Sequence, residues 1–382
     1  MEIYLDHAAT SPMTENAIAA YLAAARGTPG NPSSQHAWGS AAKHQLELAR
    51  AKLAGLYGMA ADEVLFTSGA TESMNWAIQT IAEQSGLIFA APIEHSCAIE
   101  PLRRLGDRVA WLPVNSGGDI DFEAAAEQLK AHASQIAGLI VMGANNETGV
   151  IQPVRQLASL VKRLNGGALV LSDLVALAAW GSIGETIEWV DLGVLSPHKV
   201  GGPVGVGVVL RRRGVKMAPF LLGGAQEYDQ RAGTVSLPLI SSGVVALADA
   251  DRVRGEYRQH CRILQRRLEL GLEALDIGVE IVGRDRERVA ITSAIFPGIR
   301  AEDLLFLLDE RGVRASAGAA CASGAMQPSH VLLAQGYGRH DALSQVRFSY
   351  SAALGASDID DVIRVVGEEV AKLRSNRGLS CG

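Results

Sequence analysis

Ala168-Leu169-Val170-Leu171-Ser172-Asp173 and Leu192-Gly193-Val194-Leu195-Ser196-Pro197-His198-Lys199-Val200-Gly201-Gly202-Pro203 decide the fold. Each begins as a short apolar run and breaks off at polar residues, the pattern of a strand buried on both faces of a sheet. Working outward, similar runs stand at Val64–Phe66, Leu87–Ala90, Val109–Leu112, Leu139–Met142 and Val206–Leu210. Between many of them lie amphipathic stretches, Thr71–Glu83, Phe122–His132 and Val154–Leu164, with helical spacing. Alternation of this kind predicts an α/β sheet covered by helices on both sides.

The pattern changes after about residue 240. Ser241 to Gly271 reads as one or two long helices, followed by strands at Val279–Val282 and Val289–Ile295 and a helix at Ala301–Arg311. A closing helix runs from Ser357, its expected N-cap, to about Arg374, with Asp358, Asp360 and Asp361 in the first turn. This part reads as a smaller α+β unit.

Composition narrows the function. The 382 residues are 48% hydrophobic and 20% charged, with 41 glycines and 13 prolines, which excludes a disordered, collagen-like or disulfide-scaffold protein. A formal charge of −6 argues against a direct nucleic-acid partner or an anionic membrane surface. Met1-Glu2-Ile3-Tyr4-Leu5-Asp6 has no leader-like basic and apolar pattern, and no run is long enough to span a bilayer, so a cytoplasmic protein is expected. Cys97, Cys261, Cys321 and Cys381 form no CxxC pair, the nine histidines make no HExxH, and no metal site is predicted.

Four polar islands follow strand candidates, where ligands bind in open α/β sheets. Thr67-Ser68-Gly69-Ala70-Thr71-Glu72 opens a helix with small residues whose N–H groups could meet a phosphate, though such a stretch is more often only a cap. Asp173 ends an apolar strand and would need a cationic partner if buried, a pyridinium nitrogen being one; the competing reading is a helix cap. Lys199, flanked by Ser196, His198 and the glycines 201 and 202, suits a Schiff-base lysine. Asn145-Asn146-Glu147-Thr148-Gly149 is otherwise a polar turn.

In this order the islands resemble a fold-type I pyridoxal-phosphate enzyme. Glu94-His95-Ser96, Asn145–Gly149, Ser196-Pro197-His198-Lys199 and Arg231-Ala232-Gly233-Thr234 sharpen the resemblance to the cysteine desulfurases of the class V aminotransferase group. Leu5-Asp6-His7-Ala8-Ala9-Thr10 and Gly30-Asn31-Pro32-Ser33-Ser34 resemble them too. Ser316–Gly324 around Cys321, followed by Pro328-Ser329-His330-Val331, resembles their long catalytic loop.

The resemblance implies a large cofactor domain over residues 15–250 with a mixed, mostly parallel sheet. Residues 1–14 and 251–382 would form the small domain, carrying the loop at about 315–327. Ala70, Thr71, Ser196 and His198 would meet the phosphate of pyridoxal 5′-phosphate. Thr234 would reach the phosphate of the neighbouring subunit of a homodimer. Asp173 would pair with the pyridine nitrogen, His95 would stack on the ring and assist proton transfer, and Lys199 would hold the aldehyde. Asn146, also near the cofactor, and Arg347 would orient L-cysteine, arginine's planar fork suiting an α-carboxylate.

Cys321 would take the sulfur as a persulfide, for transfer to an acceptor protein, and leave L-alanine. Its surroundings agree: Ala315–Ala325 is almost all Ala, Gly and Ser, too small to anchor by packing, so a cysteine there has little structural purpose. One position departs from the family. Ala176 stands where a glutamine usually bonds the ring's phenolic oxygen. The rival readings are an aminotransferase or selenocysteine lyase of the same group, and a catalytically weak sulfur-transfer scaffold.

Overall fold

The computed structural model describes residues 2–318 and 327–378. Strand β1 (Ile3–Tyr4) precedes helices α1 (Glu15–Gly27) and α2 (Ala37–Leu56). The alternating part runs β2 (Val64–Thr67), α3 (Ala70–Ala82), β3 (Leu87–Ala90), α4 (Ser96–Arg104), β4 (Val109–Trp111), α5 (Phe122–Ala131), β5 (Ile136–Ile140) and α6 (Val154–Leu164). It continues through β6 (Leu169–Asp173), α7 (Ile183–Ile187), β7 (Leu192–Leu195) and β8 (Gly207–Arg211). Helix α8 (Leu237–Ala274) leads to β9 (Glu280–Ile281), β10 (Ile291–Ile295), α9 (Ala301–Glu310), β11 (Val313–Arg314) and β12 (Ser316–Ala317). Then come α10 (His330–Ala334), α11 (Arg339–Ala342), β13 (Gln345–Ser349) and α12 (Ala356–Gly378).

The main sheet has the order β2-β8-β7-β6-β5-β3-β4. The five strands β7, β6, β5, β3 and β4 run parallel, and β8 is antiparallel to both β2 and β7. This is the mixed, mostly parallel sheet that the resemblance implies, and β5 and β7 are buried at every position. Strand β5 begins at Ile136, before the predicted Leu139, and ends at Ile140, short of Met142, whose N–H donates to Glu94 Oε1 at 2.8 Å instead of to a neighbouring strand. A second, antiparallel sheet has the order β12-β13-β10-β9, and β1 pairs with β11.

Two long helices escape the sequence reading, as do the short α7, α10 and α11. Helix α1, N-capped by Thr14, and helix α2, N-capped by His36, both pack on α8, where Ser242 Oγ donates to Ala17 O at 2.6 Å. The long helical region is one unbroken helix that starts at Leu237, with Pro238 tolerated in its first turn. Ser357 is not the cap of α12: it lies inside the first turn, and Asp358 Oδ2 accepts Gly355 N at 2.7 Å instead. Among the described residues no helix is long and apolar enough to cross a membrane.

Candidate active site

Strands β6 and β7 are neighbours in parallel, so the residues at their C-terminal ends come together. Asp173 closes β6 and is buried; its Oδ1 accepts Val175 N at 2.9 Å. Burial raises its pKa, while Val175 N, His95 and Lys199 pull it back. Lys199 sits in the turn after β7, and its Nζ donates to Ala8 O and Ala9 O at 2.5 and 2.7 Å. Burial lowers the lysine to about 8, Arg347 pushes the same way, and Asp173 and Asp6 oppose.

His95 is the N-cap of α4, its Nδ1 accepting Cys97 N at 3.2 Å. An Nδ1 lone pair used in this way places the neutral ring's hydrogen on Nε2. Burial lowers its pKa, so the neutral ring is favoured, although Asp173 acts against this. His198 is brought to about 4 by burial and by Lys199, and its Nδ1 lies 3.2 Å from Thr10 Oγ1.

Helix α3 starts after Gly69 without a side-chain cap, which leaves its first N–H groups for an anion. Gly207 allows this loop to lie close: a Cβ there would fall 2.4 Å from Gly69 C. Glu72, in the first turn, is engaged elsewhere, by Ser68 and by Arg231 at 2.7 Å.

These groups face one cavity of about 480 Å³, within the usual range for a small-molecule site. Its lining includes Ala70, Thr71, His95, Asn146, Asp173, Ser196, His198 and Lys199, together with Ala176. Of the asparagine pair, Asn145 is occupied structurally: its Oδ1 accepts Glu147 N and Thr148 N, both at 2.9 Å. Asn146 is the one on the cavity wall. Two predicted residues do not line it. Thr234 lies in hollows on another side, near Glu227 and Arg231. Arg347 is buried behind the wall, with Nη2 on Asp6 Oδ1 at 2.7 Å and Nη1 on Asn146 O at 2.9 Å; its Nε has no partner among the described residues.

Cys321 and Cys381 lie outside the described residues. Cys97 lines the cavity, but burial raises its thiol far above the ordinary value. Cys261 is packed inside α8 and pushed up to about 12, so both described thiols are poor nucleophiles. Among the described residues no cluster could hold a metal ion.

The residues present fit pyridoxal 5′-phosphate. At one end stand the α3 N-terminus, Ser196 and His198, a set of donors for a phosphate. Asp173 is a buried carboxylate that accepts one backbone N–H, from Val175, and it suits a cationic ring nitrogen. Lys199 is an amine near neutrality.

The sequence matches the family described as aminotransferase class-V over residues 3–362. It is 36% identical to the IscS-like cysteine desulfurase of Mycobacterium tuberculosis, covering 97% of each chain. It is 34% identical to the cysteine desulfurase IscS of Methanosarcina thermophila, covering 98% of this chain and 93% of that one. Among solved structures, a NifS-like protein superposes with a TM-score of 0.89 at 31% identity, covering 97% of this chain and 100% of its own.

Proposed function

The chain belongs to the class-V aminotransferase family and is a cysteine desulfurase, and from that premise we propose that its nucleophile is Cys321, which takes the sulfur of L-cysteine as a persulfide and leaves L-alanine. Pyridoxal 5′-phosphate, on which these families depend, supplies an electron sink for the charge that develops at the substrate Cα. Asp173 would hold its ring nitrogen, Lys199 its aldehyde, and Ala70, Thr71, Ser196 and His198 its phosphate, with His95 against the ring.

Lys199 is the base for the Cα proton. An amine lowered to about 8 is partly neutral near physiological pH and returns the proton with little cost. His95 acts as a hydrogen-bond donor, since its Nδ1 is engaged by Cys97 N and its hydrogen is on Nε2. Asn146 orients the substrate carboxylate from the cavity wall, and Arg347, held behind that wall by Asp6 and the Asn146 carbonyl, would reach it by turning its guanidinium toward the cavity. The Cys321 thiolate then attacks the substrate sulfur, the S–S bond forming as the Cβ–S bond breaks and its electron pair, with a proton, stays on Cβ to leave L-alanine; an acceptor protein afterwards draws the outer sulfur from the persulfide.

The active unit is a homodimer in this reading, with Thr234 completing the phosphate site of the neighbouring subunit. Thr234 stands away from its own chain's cavity, which supports that assignment.

The observation that carries the proposal is the pairing of buried Asp173 with Lys199 at adjacent strand ends in one cavity. Cys321→Ser tests it. Cofactor binding and the visible spectrum should survive, whereas alanine release from cysteine should fall at least ~100-fold, because a serine hydroxyl stays protonated and attacks sulfur poorly. Mass spectrometry should find the added sulfur on the Cys321 peptide of the unmodified protein. Retained activity in the serine variant, or persulfide only on Cys97, sinks the assignment.

A further inference from the structure

The two described ends of the segment that carries Cys321 meet at one buried side chain. Ser329 Oγ donates to Glu147 Oε2 at 2.5 Å while accepting Leu332 N at 3.1 Å as the cap of α10. At the other end, a Cβ on Gly318 would stand 2.4 Å from Glu147 Oε2 and 2.1 Å from Gln345 Oε1, so this backbone rests directly on the two oxygens. Glu147 is 3% exposed and has no ion pair among the described residues. Gln345 Nε2 donates to Ser293 Oγ, but Gln345 Oε1 is buried without a donor among the described residues.

The same carboxyl is wired to the catalytic cavity. Asn146, the preceding residue, lines the cavity and receives Arg347 Nη1 on its carbonyl. On the far side of Ser329, His330 Nε2 lies 2.9 Å from the carbonyl of Glu94, the residue before His95.

We propose that Glu147 is a positioning residue for the nucleophile: its side chain fastens both ends of the segment between Gly318 and Ser329 to the wall that holds Asn146 and His95. The proposal rests on the reading of Cys321 as nucleophile. Glu147 does this as a neutral acid. A proton on this carboxyl would offer a donor close to Gln345 Oε1, which approaches the same glycine and has no donor among the described residues. Burial raises this carboxyl in the same sense, with Ser329, His330 and Arg347 acting against it.

Three variants of the holoenzyme test this: Glu147→Ala, Glu147→Gln and Gly318→Ala. Glu147→Ala should lower kcat for alanine release about tenfold, with KM for cysteine and the cofactor spectrum unchanged. Elastase, which cuts after small residues, should cleave between Gly318 and Ser329 about tenfold faster in that variant. Glu147→Gln, a neutral isostere, should restore both readouts. Gly318→Ala should reproduce the loss while keeping Glu147, and it carries the test if Glu147→Ala does not fold. A glutamine variant as impaired as the alanine one, or unchanged cleavage in both Glu147→Ala and Gly318→Ala, overturns the proposal. Absence of desulfuration in every form, with the cleavage order intact, would remove the Cys321 reading and leave the anchoring supported.

Discussion

Lys199 sits under opposing demands. Burial pushes the amine toward neutrality, while the Ala8 and Ala9 carbonyls accept its hydrogens. Only a neutral amine attacks an aldehyde, so the charged fraction sets how fast the cofactor is captured. Because the pKa is lowered to about 8 from 10.5, capture by the cofactor-free protein should speed up with rising pH and level off just above 8. Growth of the visible band after mixing with pyridoxal 5′-phosphate measures this. A rate still climbing tenfold per unit above about pH 9 would mark an ordinary lysine. Ala176 invites a second experiment. It is half-buried on the cavity wall, near Trp180, whose Nε1 has no partner among the described residues. Ala176→Gln should tighten cofactor binding by about 1.5–3 kcal/mol if the new amide bonds the ring oxygen. Unchanged affinity and spectrum would show that it does not reach. Residues at strand ends, Asp173 and Lys199 above all, were legible because an apolar run that stops at a polar group is a local signal. Asp6 was visible only as part of a motif. Its role as the counter-charge of buried Arg347 depends on a contact across 341 positions, and carbonyls such as those of Ala8 and Ala9 leave no trace in residue identity.

Strand β2 is an edge of the main sheet, and its exposed side is covered by an ion pair from elsewhere in the chain. Arg50 of α2 bonds Val64 O at 2.7 Å and both carboxylate oxygens of Glu227 at 2.8 Å; Glu227 Oε2 also accepts Phe66 N. Both side chains are at most 2% exposed, and the guanidinium lies 4.9 Å from the Phe66 ring centroid. The pair anchors the start of a left-handed run, Glu227, Tyr228 and Asp229 having φ of 47, 58 and 63°, which L-residues adopt only under constraint. Arg50→Met should cost about 3–5 kcal/mol, because it leaves Glu227 buried and unpaired. Arg50→Met with Glu227→Leu should recover much of that loss in denaturant midpoints. A single-variant loss below about 1 kcal/mol would mean that water already serves the carboxylate. This helix also shows why part of the fold was illegible. Helix α2 buries Gly39, Ala42, Leu46, Arg50 and Leu53, a helical spacing that contains a glycine and an arginine and so reads poorly as an apolar stripe. In α1 only Ala17 is fully buried. The strands of the main sheet other than the edge strand β4, buried along nearly their whole length, carried a clear signal by contrast.

Across the whole molecule, several large apolar side chains face outward, among them Leu222 at 87%, Val204 at 71% and Trp38 at 66% exposed. Val204 also lines the cavity. Such side chains suit an interface more than a free surface. In the proposed homodimer, Leu222→Asp should shift sedimentation toward the monomer and weaken cofactor retention, because the phosphate site would then lack the threonine proposed to reach it from the neighbouring subunit. A dimer that persists with unaltered retention would place the interface elsewhere. The opening segment binds the molecule together in another way. Ile3 and Tyr4 pair with Val313 and Arg314, Ser349 N donates to Leu5 O at 2.7 Å, and Ala8 N donates to Ser349 Oγ across 341 positions. During synthesis at about 5–20 residues per second, residues 3–9 therefore wait some tens of seconds for the strands that seat them. Until then the carbonyls that receive Lys199 have no fixed place. A nascent chain still short of residue 349 therefore carries Lys199 with the seat for its Nζ incomplete.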